Sequence, residues 1–240
     1  MKSERDILWA ERTRAEFAEY AQGGGIVMVP IGSTEQHGLH LPIDTDCHTA
    51  EYVARRAARL VEEAPVLVTP TLAYGISPHH MAFPGTITLR LETLTRLLGD
   101  VCECIVAHGF ERILFLNGHG GNADALGAIT LELRHRLDRQ IRAITWFDLV
   151  HPTMDALREG PGNEIGHSGE LETSAMLYLD AEAVRVDRYA LVDGITDDPA
   201  PASAEKGRRL MEDAVVAVAD AVRALAAAPG RGIIGIERAR

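Results

Sequence analysis

Glu35 and His37 in GSTEQHG, Asp46 in LPIDTD, His119 in NGHGGN and Glu170 in HSGELETS are three carboxylates and two imidazoles. Each sits where a strand is expected to end or a helix to begin. Five such ligands are enough for two divalent ions that share one carboxylate. Two ions roughly 3.5–4 Å apart can clamp one bridging water, acidify it to hydroxide and polarise a carbonyl for its attack. The chemistry expected is therefore hydrolysis. Mixed Asp, Glu and His ligands suit zinc, manganese or iron and do not choose between them.

Each residue also has a plainer reading. Asp46 and Glu170 fit carboxylates at a helix N-terminus. His119 fits a turn histidine, and Glu35 with His37 fits a polar loop. These separate readings do not explain why all five fall on one predicted edge.

That edge follows from the order of elements. IVMVP (26–30), VLVT (66–69), ILFLN (113–117) and IRAITWF (141–147) are short apolar runs that read as buried strands. Helices are expected over 5–21, 48–63, 91–108, 123–137, 169–179 and 203–227. Residues 148–168 read as loop, and DGITDDPAPAS (193–203) as a surface connection. The alternation predicts an α/β fold with a mostly parallel sheet covered on both faces. Ligands of such sheets bind beyond the C-terminal strand ends. GSTEQHG follows the first strand, the loop with His79 and His80 the second, and NGHGGN the third. Gly118, Gly120 and Gly121 let the chain turn sharply and expose the His119 imidazole.

Bulk properties narrow the function. The 240 residues suit one α/β domain spanning 1–240. A net charge of −11 argues against a nucleic-acid partner. No apolar run is long enough for a membrane span. The charged start MKSERD lacks a signal-peptide core, which suggests a cytosolic protein. Three cysteines form no disulfide framework. Cys102 and Cys104 read as buried free thiols, while Cys47, next to Asp46, is a weaker candidate for lining the site.

Other motifs fail. NGHGGN lacks the Lys-Ser/Thr of a P-loop, Ser33 lacks the flanking glycines of a nucleophile elbow, and no His-Glu-x-x-His is present.

GSTEQHGLHLPIDTD, YGISPHHMAFPGTITL, ILFLNGHGGN and HSGELETSAML, in this order, resemble the creatininase family of metal-dependent amidohydrolases. The resemblance runs from about residue 26 to 180 and extends to the EKG of 205–207. It implies a three-layer α/β/α sandwich and two divalent metal ions per chain (zinc, manganese or iron). Glu35, Asp46 and His119 would hold one ion, and His37, Asp46 and Glu170 the other, with Asp46 bridging. His167 would be the general acid for the leaving nitrogen. Glu172 would orient neighbours or cap the helix. Family members commonly assemble as hexamers, so a homo-oligomer is expected.

Creatinine-hydrolysing members carry a metal-binding carboxylate at the position of Gly121. Glu170 is expected to replace it, which points away from creatinine as the substrate. The reaction expected is cleavage of a small cyclic or linear amide. A formamidopyrimidine-nucleotide deformylase or a peptide-cleaving member of the family is the alternative. A non-catalytic flavodoxin-like binding module and a metal-dependent lyase or isomerase are further alternatives. His79, His80, Gly120 and Gly121 are the expected substrate-facing residues, with Trp146, Asp148 and His151 as lesser candidates for the pocket wall.

Overall fold

In the computed structural model, residues 3–161 and 164–231 are described. Four strands, β1 (Ile26–Ile31), β2 (Val66–Val68), β3 (Arg112–Asn117) and β4 (Gln140–Thr145), form one sheet in the order β2-β1-β3-β4, with every neighbouring pair parallel. Alternate side chains of a strand face opposite sides. Accordingly Met28 and Leu114 enter one apolar cluster, while Val27 and Phe115 enter another on the opposite face. Helices α3 (Thr45–Leu60), α7 (Glu170–Leu179) and α8 (Ala204–Ala227) contribute to the first cluster. Helices α4 (Leu91–Ala107) and α5 (Ala123–Leu137) contribute to the second. The result is the α/β/α sandwich expected.

The register pairs Ile31 with Asn117 and Asn117 with Thr145, so β1, β3 and β4 end level. The functional loops therefore start from one line. Pro30 lies inside β1 without loss, because its carbonyl faces Leu72 beyond the end of β2. A proline is tolerated where no ladder donor is needed.

Three expectations change. The opening helix divides into α1 (Glu4–Ile7) and α2 (Arg14–Gln22), because Ser3 with Asp6 and Thr13 with Glu16 form two capping boxes. The fourth strand stops at Thr145, and Trp146–Leu149 is a 3-10 turn that buries Trp146 in the core. The expected loop 148–168 contains α6 (His151–Leu157), with a proline in its first turn. Residues 162 and 163 of that loop lie outside the described residues.

α7 and α8 touch at backbone distance. A Cβ at Gly207 would collide with the Ser174 carbonyl. Among the described residues, no helix is long and apolar enough to cross a membrane.

Candidate metal centre

The turn after β3 is built by its asparagines. The Asn117 side chain accepts from the His119 amide at 3.1 Å and donates to the His119 carbonyl at 2.7 Å. Asn122 donates to the Gly32 carbonyl at 3.0 Å and accepts from the Ile76 amide at 2.8 Å. One side chain thus ties the loops after three strands together. Gly118 lies against the first turn of α3, where a Cβ would meet the Asp46 carbonyl.

These contacts bring Glu35, His37, Asp46 and His119 together. The Asp46 Oδ1 is 3.3 Å from His37 Nε2, and its Oδ2 is 3.2 Å from His119 Nδ1. Glu35 Oε1 is 3.3 Å from the same His119 Nδ1. Ligands at tetrahedral angles around an ion, each about 2.0–2.1 Å from it, are roughly 3.3 Å apart.

Hydrogen bonds fix which ring nitrogen faces inward. His37 Nδ1 donates to the Glu35 carbonyl at 3.1 Å, leaving Nε2 toward Asp46. His119 Nε2 donates to the Ile76 carbonyl at 3.1 Å, leaving Nδ1 inward. Outer partners of this kind orient metal-ligating histidines. His167 Nε2 donates to the Gln36 carbonyl at 2.9 Å, so its Nδ1 faces Glu35 Oε1 at 3.5 Å.

The fourth carboxylate is not the expected one. Glu170 turns away from the cluster. Its carboxylate accepts from the Glu159 and Gly160 amides and pairs with Lys206 Nζ at 2.5 Å. Glu172 faces the site instead, with its Oε2 at 3.8 Å from His37 Nε2 and 2.5 Å from the Ser168 amide. Residues two apart on a helix are about 200° apart around the axis, so only one of the two can look inward. Ser168, at φ 56°, takes the left-handed conformation that turns its amide onto Glu172.

The cluster is buried, and without a metal only imidazoles stand against its carboxylates. Among the described residues, Glu35, Asp46 and Glu172 face histidines, and no Lys or Arg pairs with them. Both Glu35 oxygens, His37 Nε2 and Asp46 Oδ2 are buried without a hydrogen-bond partner. Buried charges normally are paired or coordinate metals. Burial disfavours the His37 cation, but Asp46 outweighs it and raises the imidazole to about 9. Burial likewise opposes protonation of His119, and the adjoining Asp46 and Glu35 carboxylates raise it to about 10. Burial would raise Asp46, yet His37 holds it below the usual carboxylate range. Burial pushes Glu172 up to about 7. His167 falls to about 3, through burial and the neighbouring His37.

A cavity of about 690 Å³ opens onto this cluster. Its lining includes the expected His79, His80, Gly120 and Gly121, together with Asp148 and His151. Trp146 is core, and Cys47 is a buried thiol raised to about 12 by burial. Cys104 is exposed, contrary to expectation. The segment 193–203 is more than a surface connection. The Thr196 hydroxyl accepts from the His167 amide at 2.6 Å, and the Gly194 carbonyl accepts from the Gln36 side chain at 2.5 Å.

Gln36 is the residue that sequence reasoning missed. Its amide donates to His80 Nδ1 at 3.0 Å and so aims His80 Nε2 at Glu35 Oε1, 3.5 Å away. Its place between Glu35 and His37 was the available signal.

The family model described as creatinine amidohydrolase matches residues 10–222. The chain belongs to the creatininase family. A "Mycofactocin precursor peptide peptidase" of Mycobacterium tuberculosis is 35% identical, over 83% of this chain and 84% of the relative. A "Creatinine amidohydrolase" of Pseudomonas putida is 30% identical, over 91% and 97%. A solved structure named "Creatininase Mn" superimposes with a TM-score of 0.77 at 30% identity, over 91% of this chain and 98% of that one. As a creatininase-family amidohydrolase, this protein is a hydrolase of amide C–N bonds.

Proposed function

We propose that this protein hydrolyses the C–N bond of a small cyclic or linear amide at a dinuclear metal centre. The observation that carries the reading is Asp46, whose two oxygens face ring nitrogens of two different imidazoles, at 3.3 Å and 3.2 Å. Glu35, Asp46 and His119 would hold one divalent ion, and His37, Asp46 and Glu172 the other. The unpartnered buried atoms of Glu35, His37 and Asp46 support this fit. Zinc, manganese and iron all suit the donor set.

When bound, such ions supply an acidified water and polarise the amide carbonyl. His167 provides the proton path. Its imidazole is neutral, with Nδ1 turned to Glu35. It accepts the proton of the attacking water and delivers it to the leaving nitrogen. Thr196 and Gln36 hold it in place through its amide and its Nε2. Asp148 and His151 also line the cavity, where the remainder of the substrate would lie.

A peptide substrate is the second reading. At about 690 Å³ the cavity falls within the roughly 300–1,000 Å³ of drug-sized ligand sites. It therefore has room for more than one small ring, and the relative named as a peptide peptidase supports this direction. A homo-oligomer is also proposed. Leu39, Ile43, Met81 and Ile87 are exposed large apolar side chains in the loops beside the site.

The test is hydrolysis of cyclic amides, formamides and short peptides by protein loaded separately with zinc, manganese or iron. Oxygen from labelled water must enter the product. Metal analysis of the loaded protein should give about two ions per chain, and a protein that binds none removes the reading.

A further inference from the structure

Gly121 puts no side chain beside His119, and Glu172 stands toward His37, at 3.8 Å from its Nε2. We infer that His79 is a further protein ligand of the ion assigned to Glu35 and His119. This rests on the dinuclear reading above.

His79 lies in the 3-10 turn Pro78–His80, after the second strand. One ligand atom each from Glu35, His79 and His119 lie within 4.8 Å of one another. The His79 and His119 rings are stacked, with centroids 5.9 Å apart and planes 4° from parallel, so the His79 ring must tilt to aim a nitrogen at the ion. Glu35 and His119 already stand at ligand spacing, 3.3 Å. His79 is exposed and lines the cavity, so it is the member free to close the remaining gap.

Gly121 is what admits this imidazole. A Cβ there would collide with His119 Nε2, and would stand 2.5 Å from the Ile76 carbonyl and 3.0 Å from His79 Cε1. The same glycine that removes a ligand from the turn clears the space for one from another loop. His80 is not available for the role. It is buried, and its Nδ1 is held by Gln36 at 3.0 Å. His79 would give this ion a second imidazole and make the site richer in nitrogen, without adding negative charge. Such a site favours zinc or cobalt over a hard oxygen-seeking ion.

The test uses full-length protein stripped of metal and titrated with Co²⁺, followed by calorimetry and by the visible ligand-field absorption. The variants are His79→Gln, which has no comparable metal donor, and His79→Glu, which restores one. Wild type should bind about two equivalents. His79→Gln should weaken one of the two sites by at least about tenfold and alter its absorption band, and His79→Glu should recover most of the affinity. Unchanged affinity and spectrum in His79→Gln overturn the inference while leaving the dinuclear reading standing. A weakening that His79→Glu does not recover also overturns it, since it points to loop packing. Wild-type protein that takes up no Co²⁺ removes the dinuclear reading and His79 with it.

Discussion

Glu170 and Glu172 stand two residues apart at the start of α7 and face opposite ways. Glu172 Oε2 lies 3.8 Å from His37 Nε2, whereas Glu170 pairs with Lys206 of α8 at 2.5 Å. One faces the site, and the other joins two helices and the loop at 159–160.

Exchange of the two carboxylates for amides therefore has different outcomes. Glu172→Gln should lose one of the two proposed ions and keep a near-normal melting temperature when metal-free. Glu170→Gln should keep both ions but leave half-buried Lys206 with Glu159 as its remaining anionic partner, at 2.6 Å, and the Glu159 and Gly160 amides without a charged acceptor. Hydrogen bonds to a charged group contribute about 1.5–3 kcal/mol, so the variant's melting temperature should fall. Metal analysis and thermal melts of both variants distinguish the roles, and metal loss in Glu170→Gln with Glu172→Gln unaffected would reverse them.

Asp46→Asn tests the bridge. An amide cannot offer an anionic oxygen to both sides, so both ions should weaken together. Loss of several kcal/mol of transition-state stabilisation corresponds to on the order of 10³-fold in kcat/KM. Calorimetric titration should show two weakened sites. A single weakened site would mean that Asp46 serves one ion only.

The metal-free protein should lose stability as pH rises. His37 and His119 are raised from 6.5 to about 9 and about 10. Their contribution is complete below 6.5 and is lost as pH passes through those values. Glu172, raised from 4.5 to about 7 by burial, acts in the same direction over a lower window. Asp46 and Glu35 are held low, so their contribution disappears only in acid. Melting temperatures in chelator should therefore be highest near pH 4.5, begin to fall above it as Glu172 ionises, and fall further toward pH 9. Saturating zinc should oppose the fall, because it needs the imidazoles neutral. A flat profile in chelator would contradict this electrostatic account.

Gly121→Ala should be costly although its backbone is not strained. The added methyl meets His119, the Ile76 carbonyl and His79 together. Overpacking of this kind costs about 1–3 kcal/mol. His119 is displaced in the process, so zinc affinity should fall along with the melting temperature. Gly120→Ala is the control, since nothing lies within 4 Å of a Cβ there.

The strands and most helices were legible because their apolar runs and spacing are strong. The sheet edge was legible for the same reason, and with it the meeting of Glu35, His37, Asp46 and His119. The choice between Glu170 and Glu172 was not. Both open α7, and what separates them is the rotation of that helix, set by Gly207 against Ser174 and by Lys206 on α8. That is a contact between segments some thirty residues apart. Gln36 escaped notice because its partners, His80, His167 and Gly194, come from three other segments. α6 was missed because only Met154 and Leu157 of its seven residues are buried.

Residues 35, 46, 119 and 172 converge in a chain whose cysteines are all free. With ions bound there, the centre becomes the chain's detachable cross-link. It closes loops of many residues, and such closure removes freedom from the unfolded chain much as a disulfide does. Unlike a disulfide, it comes apart under a chelator or at a pH that protonates its imidazoles. The lifetime of the folded molecule would then follow the supply of metal around it, with or without substrate.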